Sequence, residues 1–135
     1  MNFLLDTNAC IAVINGRPAN VRERLKAAMD RGETVALSAV TLFELWYGVA
    51  KSARLDANAE RLAVFLAPLD AVPFEDEDAR IAGIVRAQLE SQGTPIGAYD
   101  VLIAGQALHR DATLVTANVQ EFARVSGLRW ENWAA

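Results

Sequence analysis

The sequence predicts an α/β fold, with a mostly parallel central sheet of four to five short strands sandwiched by helices. Three observations predict it. Short apolar runs alternate with segments of helical periodicity along the whole chain. The runs are continuously apolar, as in strands covered on both faces. No internal repeat, low-complexity tract or long linker interrupts the pattern, so residues 1–135 read as one domain with its own core.

Taken in order, Asn2–Leu5 is the first strand. The polar, cap-forming Asp6-Thr7-Asn8 ends it, and Ala9–Ile14 reads as helix. Asn15-Gly16-Arg17-Pro18 is a break. Val21, Leu25, Ala28 and Met29 recur at helical spacing, predicting a helix from about Asn20 to Arg31, with Gly32 suited to its end. Val35–Leu37 is a second strand, and Ser38 can cap the helix Ala39–Lys51, whose apolar stripe is Leu42, Leu45, Trp46 and Val49. Asp56–Leu66 is a further helix, closed by Ala67-Pro68. Leu69–Val72 is a strand before Pro73. Glu75–Asp78 places acids at a helix start, where the dipole favours them. Ile81, Ile84, Val85 and Leu89 form one face of that helix up to Gln92. After Gly93-Thr94-Pro95, Ala98–His109 is apolar on nearly every side and reads as a buried central helix. Thr113–Thr116 is a strand, Val119–Val125 a short helix and Leu128–Trp130 a last strand.

Bulk properties exclude several function classes. Net charge is −4 and the isoelectric point near 5.0, which argues against a simple basic-face nucleic-acid binder. Two local basic clusters, Arg17/Arg22/Arg24/Lys26 and Lys51/Arg54, read as solvated helix faces. Hydrophobic content is 53% and mean hydropathy +0.14, yet no run approaches the ~20 apolar residues needed to span a bilayer. The N-terminus lacks signal-peptide features, so a cytoplasmic location without membrane partners is expected. Cys10 is the only cysteine; it reads as a small buried hydrophobe, and an intramolecular disulfide and a cysteine-based zinc site are both excluded.

The functional signal lies in three carboxylates. Asp6 is the only charged side chain from Met1 to Gly16, Glu44 the only one from Val35 to Ala50, and Asp100 the only one from Ser91 to Leu108. In a chain that is 22% charged, each stretch would hold three or four charges by chance. Buried carboxylates are costly unless paired, and no lysine or arginine shares these stretches. In a parallel sheet, residues following the strands meet at one edge, where ligands sit. Asp6, Glu44, Asp100, Thr116 and Asn118 all fall there.

Converging acids repel one another, and a divalent cation relieves the repulsion. Oxygen-only donors suit magnesium or manganese. Asp6 and Asp100 are the first candidates for direct or water-bridged ligands. Glu44 has a longer arm and could bind a second metal or orient an attacking water. Thr7, Thr116 and Asn118 could hold waters or a substrate phosphate, as could Asn8, for which a helix-cap role competes. Capping is also the alternative for Asp6 and Asp100. Glu44, inside its helix among Phe43, Leu45 and Trp46, has no such explanation. His109 reads as a helix-end capping group rather than a catalytic base.

The segments NFLLDTNACIAVING, LSAVTLFELWYGVAKS, GTPIGAYDVLIAGQAL and TLVTANVQEFARVSGLRWENW resemble a PIN-domain ribonuclease, and more closely the VapC toxins of bacterial toxin–antitoxin pairs. The resemblance covers nearly the whole chain, with motifs in order. It implies a PIN-like fold and a magnesium- or manganese-dependent endoribonuclease held inactive by a VapB-type antitoxin. It implies metal roles for Asp6 and Asp100 and an active-site acid role for Glu44. Some relatives cut initiator tRNA, others different tRNAs or ribosomal RNA. Many PIN domains place a fourth acid where this chain has Asn118; Glu121 lies one helical turn on, and Asn118 is the favoured site residue. The family also implies a homodimer and a toxin–antitoxin hetero-oligomer.

An acidic groove is a target for an inserted cationic side chain of an antitoxin. Ile11, Ile14, Leu42, Trp46 and Tyr47 are candidates for the apolar surface beside it, Leu42 reading better as core. Two alternatives stand against the nuclease. A phosphatase with Asp6 as covalent nucleophile would want a second acid at Asn8 and a nearby lysine. A catalytically weak or inactive PIN-like interaction domain would keep the acids only to bind a basic peptide.

Overall fold

A computed structural model describes all residues 1–135. In chain order the elements are β1 (Phe3–Leu5), α1 (Thr7–Asn15), α2 (Ala19–Asp30), β2 (Val35–Ser38), α3 (Ala39–Ala50) and α4 (Leu55–Leu66). They continue with β3 (Asp70–Val72), α5 (Asp76–Ser91), α6 (Ala98–His109), β4 (Thr113–Val115), α7 (Val119–Phe122) and β5 (Trp130–Glu131). The five strands form one sheet, ordered β3-β2-β1-β4-β5 and parallel throughout. The chain winds outward from β1 through β2 to β3, then returns to the other side of β1 with β4 and β5. The crevice between β1 and β4 is therefore the point where strand order reverses, the place such sheets bind ligands.

The strands are apolar on both faces because both faces are covered. Phe3 and Leu5 point into a core shared with α1, α2, α3 and α4. Leu4, between them, points into a second core shared with α5, α6 and α7. Each fully buried leucine contributes roughly 1.5–3 kcal/mol. No helix is long and apolar enough to cross a membrane.

Most expected elements are present, and the differences have local causes. β5 is a two-residue edge strand at Trp130–Glu131, shifted toward the C-terminus from Leu128–Trp130. α7 is a single turn that anchors Phe122, not a helix reaching Val125. α5 buries Ala82, Val85 and Leu89; Ile84 lies off that face and is 46% exposed. On α3, Thr41 and Leu45 are buried whereas Trp46 is 43% exposed, so the inward stripe is narrower than expected.

α5 and α6 pack closely because Gly105 has no side chain. A Cβ there would stand 2.6 Å from the Cα and Cβ of Ala82, against helix backbone that cannot yield. Gly83, on the exposed side of α5, has nothing within 4 Å of the same construction. The same substitution therefore has opposite signs at the two positions. Gly105→Ala is expected to destabilise the protein by about 1–3 kcal/mol through overpacking. Gly83→Ala is expected to stabilise it by about 0.5–1 kcal/mol through helix propensity. Urea unfolding of both variants checks this; a stabilised Gly105→Ala protein would show that α5 and α6 can separate freely.

The α5–α6 pair also holds a charge. Asp78 has no exposed surface. Its Oδ2 accepts the Glu75 N–H at 2.8 Å, completing the capping box of α5. His109 Nδ1 lies 2.6 Å from Asp78 Oδ1, and Arg110 donates to Oδ2 at 3.1 Å. His109 is thus tied to Asp78 across the two helices and does not merely cap its own. Burial pushes the Asp78 carboxyl up, but the Arg110, Glu75 and His109 hydrogen bonds outweigh it and hold the group below the usual carboxylate range.

Candidate active site

Sheet register assembles the site. Leu5 of β1 is level with Leu37 of β2 and Val115 of β4, so Asp6, Ser38 and Thr116 leave the sheet side by side. Ser38 Oγ caps α3 through the Val40 N–H at 3.0 Å, and this start sets Glu44 in the second turn of the helix. α6 begins after Gly97 and carries Asp100 in its first turn. The loop after β4 carries Asn118, and α7 carries Glu121.

Asp6 is buried and forms the N-cap of α1, its Oδ1 accepting the Ala9 N–H at 2.7 Å. Burial pushes its carboxyl above the ordinary range; the Thr116 side chain and the Ala9 amide oppose this, and the Glu44 charge adds to it. Glu44 is half-buried and accepts a hydrogen bond from the Thr7 hydroxyl at 2.7 Å. Thr7 thereby aims the Glu44 carboxylate back toward the first helix. Asp100 is also half-buried, and its carboxyl is pushed up to about 7. Burial comes first among the causes, then a side-chain hydrogen bond with Glu121, then the charges of Glu121, Asp6 and Glu44. The Asn118 amide donates to Glu121 Oε2 at 2.6 Å, and the Asn118 N–H donates to the Thr116 hydroxyl at 2.9 Å.

Asp6, Glu44 and Asp100 therefore feel one another, with Thr7, Thr116 and Asn118 woven between them. Glu121 joins them, bonded to Asp100 on one side and Asn118 on the other. Favouring Asn118 over Glu121 divides what the structure joins. The available signal was their i, i+3 spacing, which puts both on one side of a helical turn. None of the ion pairs in the protein involves any of these four acids.

The capping alternative holds for one oxygen of Asp6 and fails for Asp100, since Gly97 occupies the N-cap of α6 and no side chain bonds its free amides. Asn8 lies inside α1, exposed, and caps nothing. Expectation and structure differ on one point: no three carboxylate, imidazole or thiol groups form a closed cage for a single ion. The donor set fits a hard cation that takes one or two carboxylates and completes its shell with water, as magnesium does.

Beside the acids, Ile11, 41% exposed, and Ile14 line a cavity of about 280 Å³ with Glu44, Gly48, Arg61 and Leu62, between α1, α3 and α4. Trp46 and Tyr47 are exposed on α3, with Lys51 Nζ 5.0 Å from the Tyr47 ring centre. Leu42 packs against the core. The sequence reading overlooked an exposed edge-to-face pair, Phe43 and Tyr99, with ring centres 5.7 Å apart. These are the residues immediately before Glu44 and Asp100.

Residues 3–128 match the PIN-domain family. The chain is 41% identical to the tRNA(fMet)-specific endonuclease VapC of Shigella flexneri, over 99% of each chain. It is 39% identical to ribonuclease VapC2 of Rickettsia felis, over 98% of each. Among solved structures, it superposes on VapBC2 from Rickettsia felis, bound to a DNA fragment from their promoter, with a TM-score of 0.92 and 38% identity, covering 98% of this chain and 99% of that one. VapBC-1 from nontypeable Haemophilus influenzae gives 0.90 at 29% identity, over all of both chains. With its acids gathered at the strand ends of a five-stranded parallel sheet, the chain belongs to the PIN-domain family, among the VapC ribonucleases.

Proposed function

We propose that this ribonuclease is the toxin of a toxin–antitoxin pair, an endonuclease that cuts tRNA, with initiator tRNA its first candidate, and that it works through bound magnesium or manganese. The observation that carries the metal reading is the Asp6–Glu44–Asp100–Glu121 group: four carboxylates that interact electrostatically and have no cationic side chain among them. The relatives' printed names carry the substrate and the partner.

Asp6 and Asp100 are the residues that would hold the metal. A bound divalent ion polarises a phosphoryl oxygen and lowers the pKa of water. Asp6 is kept in place by its bond to the start of α1, and Asp100 by the rigid, buried α6. Glu44, steadied by Thr7, would orient a water or receive its proton. Asn118 and Thr116 hold Glu121 and the loop that closes the site beside β4. Hydrolysis by water leaves a 5′-phosphate and a 3′-hydroxyl. An antitoxin segment with a cationic side chain would cap the acids while its apolar residues fill the Ile11–Ile14 cavity and reach Trp46 and Tyr47.

Two measurements test this reading. Incubation of the purified protein with tRNA(fMet) and magnesium, followed by mapping of RNA 5′ ends, should give a discrete cut that excess EDTA removes. Full activity in EDTA would refute the metal role. The second is thermal. Asp6 and Asp100 have raised pKa values in the folded protein. Their favourable contribution is complete below the ordinary carboxylate range and is lost as pH rises through each folded value, which for Asp100 is about 7. Metal should offset that loss: at ~100-fold its Kd it adds about 2.7 kcal/mol. The melting temperature should rise with magnesium or manganese at pH 8 and scarcely at pH 5.5, and an equal shift at both values would contradict the assignment.

A further inference from the structure

A cleft of carboxylates repels the RNA it must cut, so cationic contacts beside it have to bring the backbone in. Most arginines around α1 and α2 cannot serve. Arg22 donates to the carbonyls of Val13 and Ile14, Arg24 to those of Asn132 and Ala135, and Arg61 to Ile14 and Asn15. Arg17 is different. It is exposed and has neither an ion pair nor a side-chain hydrogen bond.

Arg17 stands on the rim of a cavity of about 230 Å³ that shares Thr116 with the acidic site. Val21 and Trp133 are among its apolar walls, and Asn8 and Asn132 supply polar groups at its edge. The Asn8 side chain is likewise free of intramolecular bonds, because Asp6 has taken the capping role. The volume is below the ~300 Å³ at which drug-sized pockets begin, which suits a single nucleotide-sized group. A guanidinium is the side chain best matched to a phosphate, and an amide can read a base edge or a ribose hydroxyl.

Building on the nuclease reading above, we propose that this cavity is the subsite for one RNA nucleotide flanking the scissile bond, with Arg17 on its phosphate, Asn8 on its base or ribose, and the apolar walls beneath its base. The neighbouring Thr116 places that nucleotide next to Asp6.

Binding of labelled tRNA(fMet) to the Asp100→Asn protein, followed by fluorescence anisotropy across a salt series, tests it. Adding Arg17→Ala should weaken binding about 10-fold and make the log–log salt slope shallower by about 0.7, the value for one lost single-strand phosphate contact. Arg17→Lys should keep the slope but recover only part of the affinity, and Lys26→Ala, at an exposed position outside the cavity lining, should change neither. In the otherwise wild-type enzyme, Arg17→Ala should raise KM with kcat within about threefold, because uniform binding is lost. A second probe needs no cleavage. Adenosine 5′-monophosphate titrated into the metal-free protein should shift the Asn8 side-chain amide resonances, and should not do so in Arg17→Ala. Unchanged affinity, slope and KM in Arg17→Ala, alongside normal cleavage by the wild type, would overturn the subsite alone. Absent metal-dependent cleavage by the wild type would overturn the nuclease reading, while the monophosphate titration still decides the subsite.

Discussion

Asp100→Asn is expected to lower RNA cleavage at least about 100-fold while raising the melting temperature of the metal-free protein above pH 7. The loss follows from the metal-holding role proposed for this carboxylate, in a reaction where a correctly placed ionisable group is worth ~10²–10⁴-fold. The gain follows from electrostatics. The Asp100 carboxyl titrates at about 7 because it is buried and faces Glu121, Asp6 and Glu44, so its ionised form opposes folding at higher pH. An amide keeps the shape and can donate to Glu121, which removes the penalty. Rate measurements on tRNA(fMet) and differential scanning fluorimetry at two pH values read both effects. Magnesium should then stabilise the variant much less than the wild type. An inactive variant that also melts lower would mean that Asp100 acts as a structural residue, and the site would have to be redrawn.

Arg110→Ala is expected to cost about 3–5 kcal/mol of stability, a drop of ~10 °C or more in melting temperature for a domain of this size. Arg110 donates to both oxygens of Asp78, at 3.4 and 3.1 Å, and also to Glu75 and the Pro73 carbonyl. Truncating it leaves a fully buried carboxylate with only His109 and one backbone amide. The depressed Asp78 pKa means the stabilisation is present above the ordinary carboxylate range and is lost as pH falls through the folded value. The stability difference between variant and wild type should therefore narrow in acid. Replacing Asp78 and Arg110 together by apolar residues should be milder than Arg110→Ala, because no unpaired charge remains buried. Chemical denaturation of the three proteins settles the comparison; a double variant as unstable as the single one would argue against the buried-charge explanation.

The acidic site was legible for a specific reason. Asp6, Glu44 and Asp100 each sit alone in an otherwise uncharged stretch, and isolation of that kind marks burial. Glu121 carried a weaker mark: a charged neighbour, Arg124, lies three residues on, and beyond its i, i+3 spacing from Asn118 it is the bonds to Asp100 and Asn118 that fix its place. Asp78 was hidden for the same reason: among Glu75, Asp76 and Glu77 it looked like one more acid at a helix start. Its burial depends on α6 delivering His109 and Arg110 from some thirty residues away.

Local pattern alone determined the alternation of strands and helices, the apolar character of β1, β2 and β4, and the three lone carboxylates. Those features depend on neighbouring residues and on the periods of helix and strand, which the chain carries in its own order. Tertiary structure decided which acids touch, which arginines are committed to carbonyls, and where a glycine is indispensable. These depend on register and helix approach, set jointly by segments far apart in sequence. That is why Arg17 and Arg22, alike in the sequence, end with different work: one is bound to the end of α1, and the other is left free beside the site.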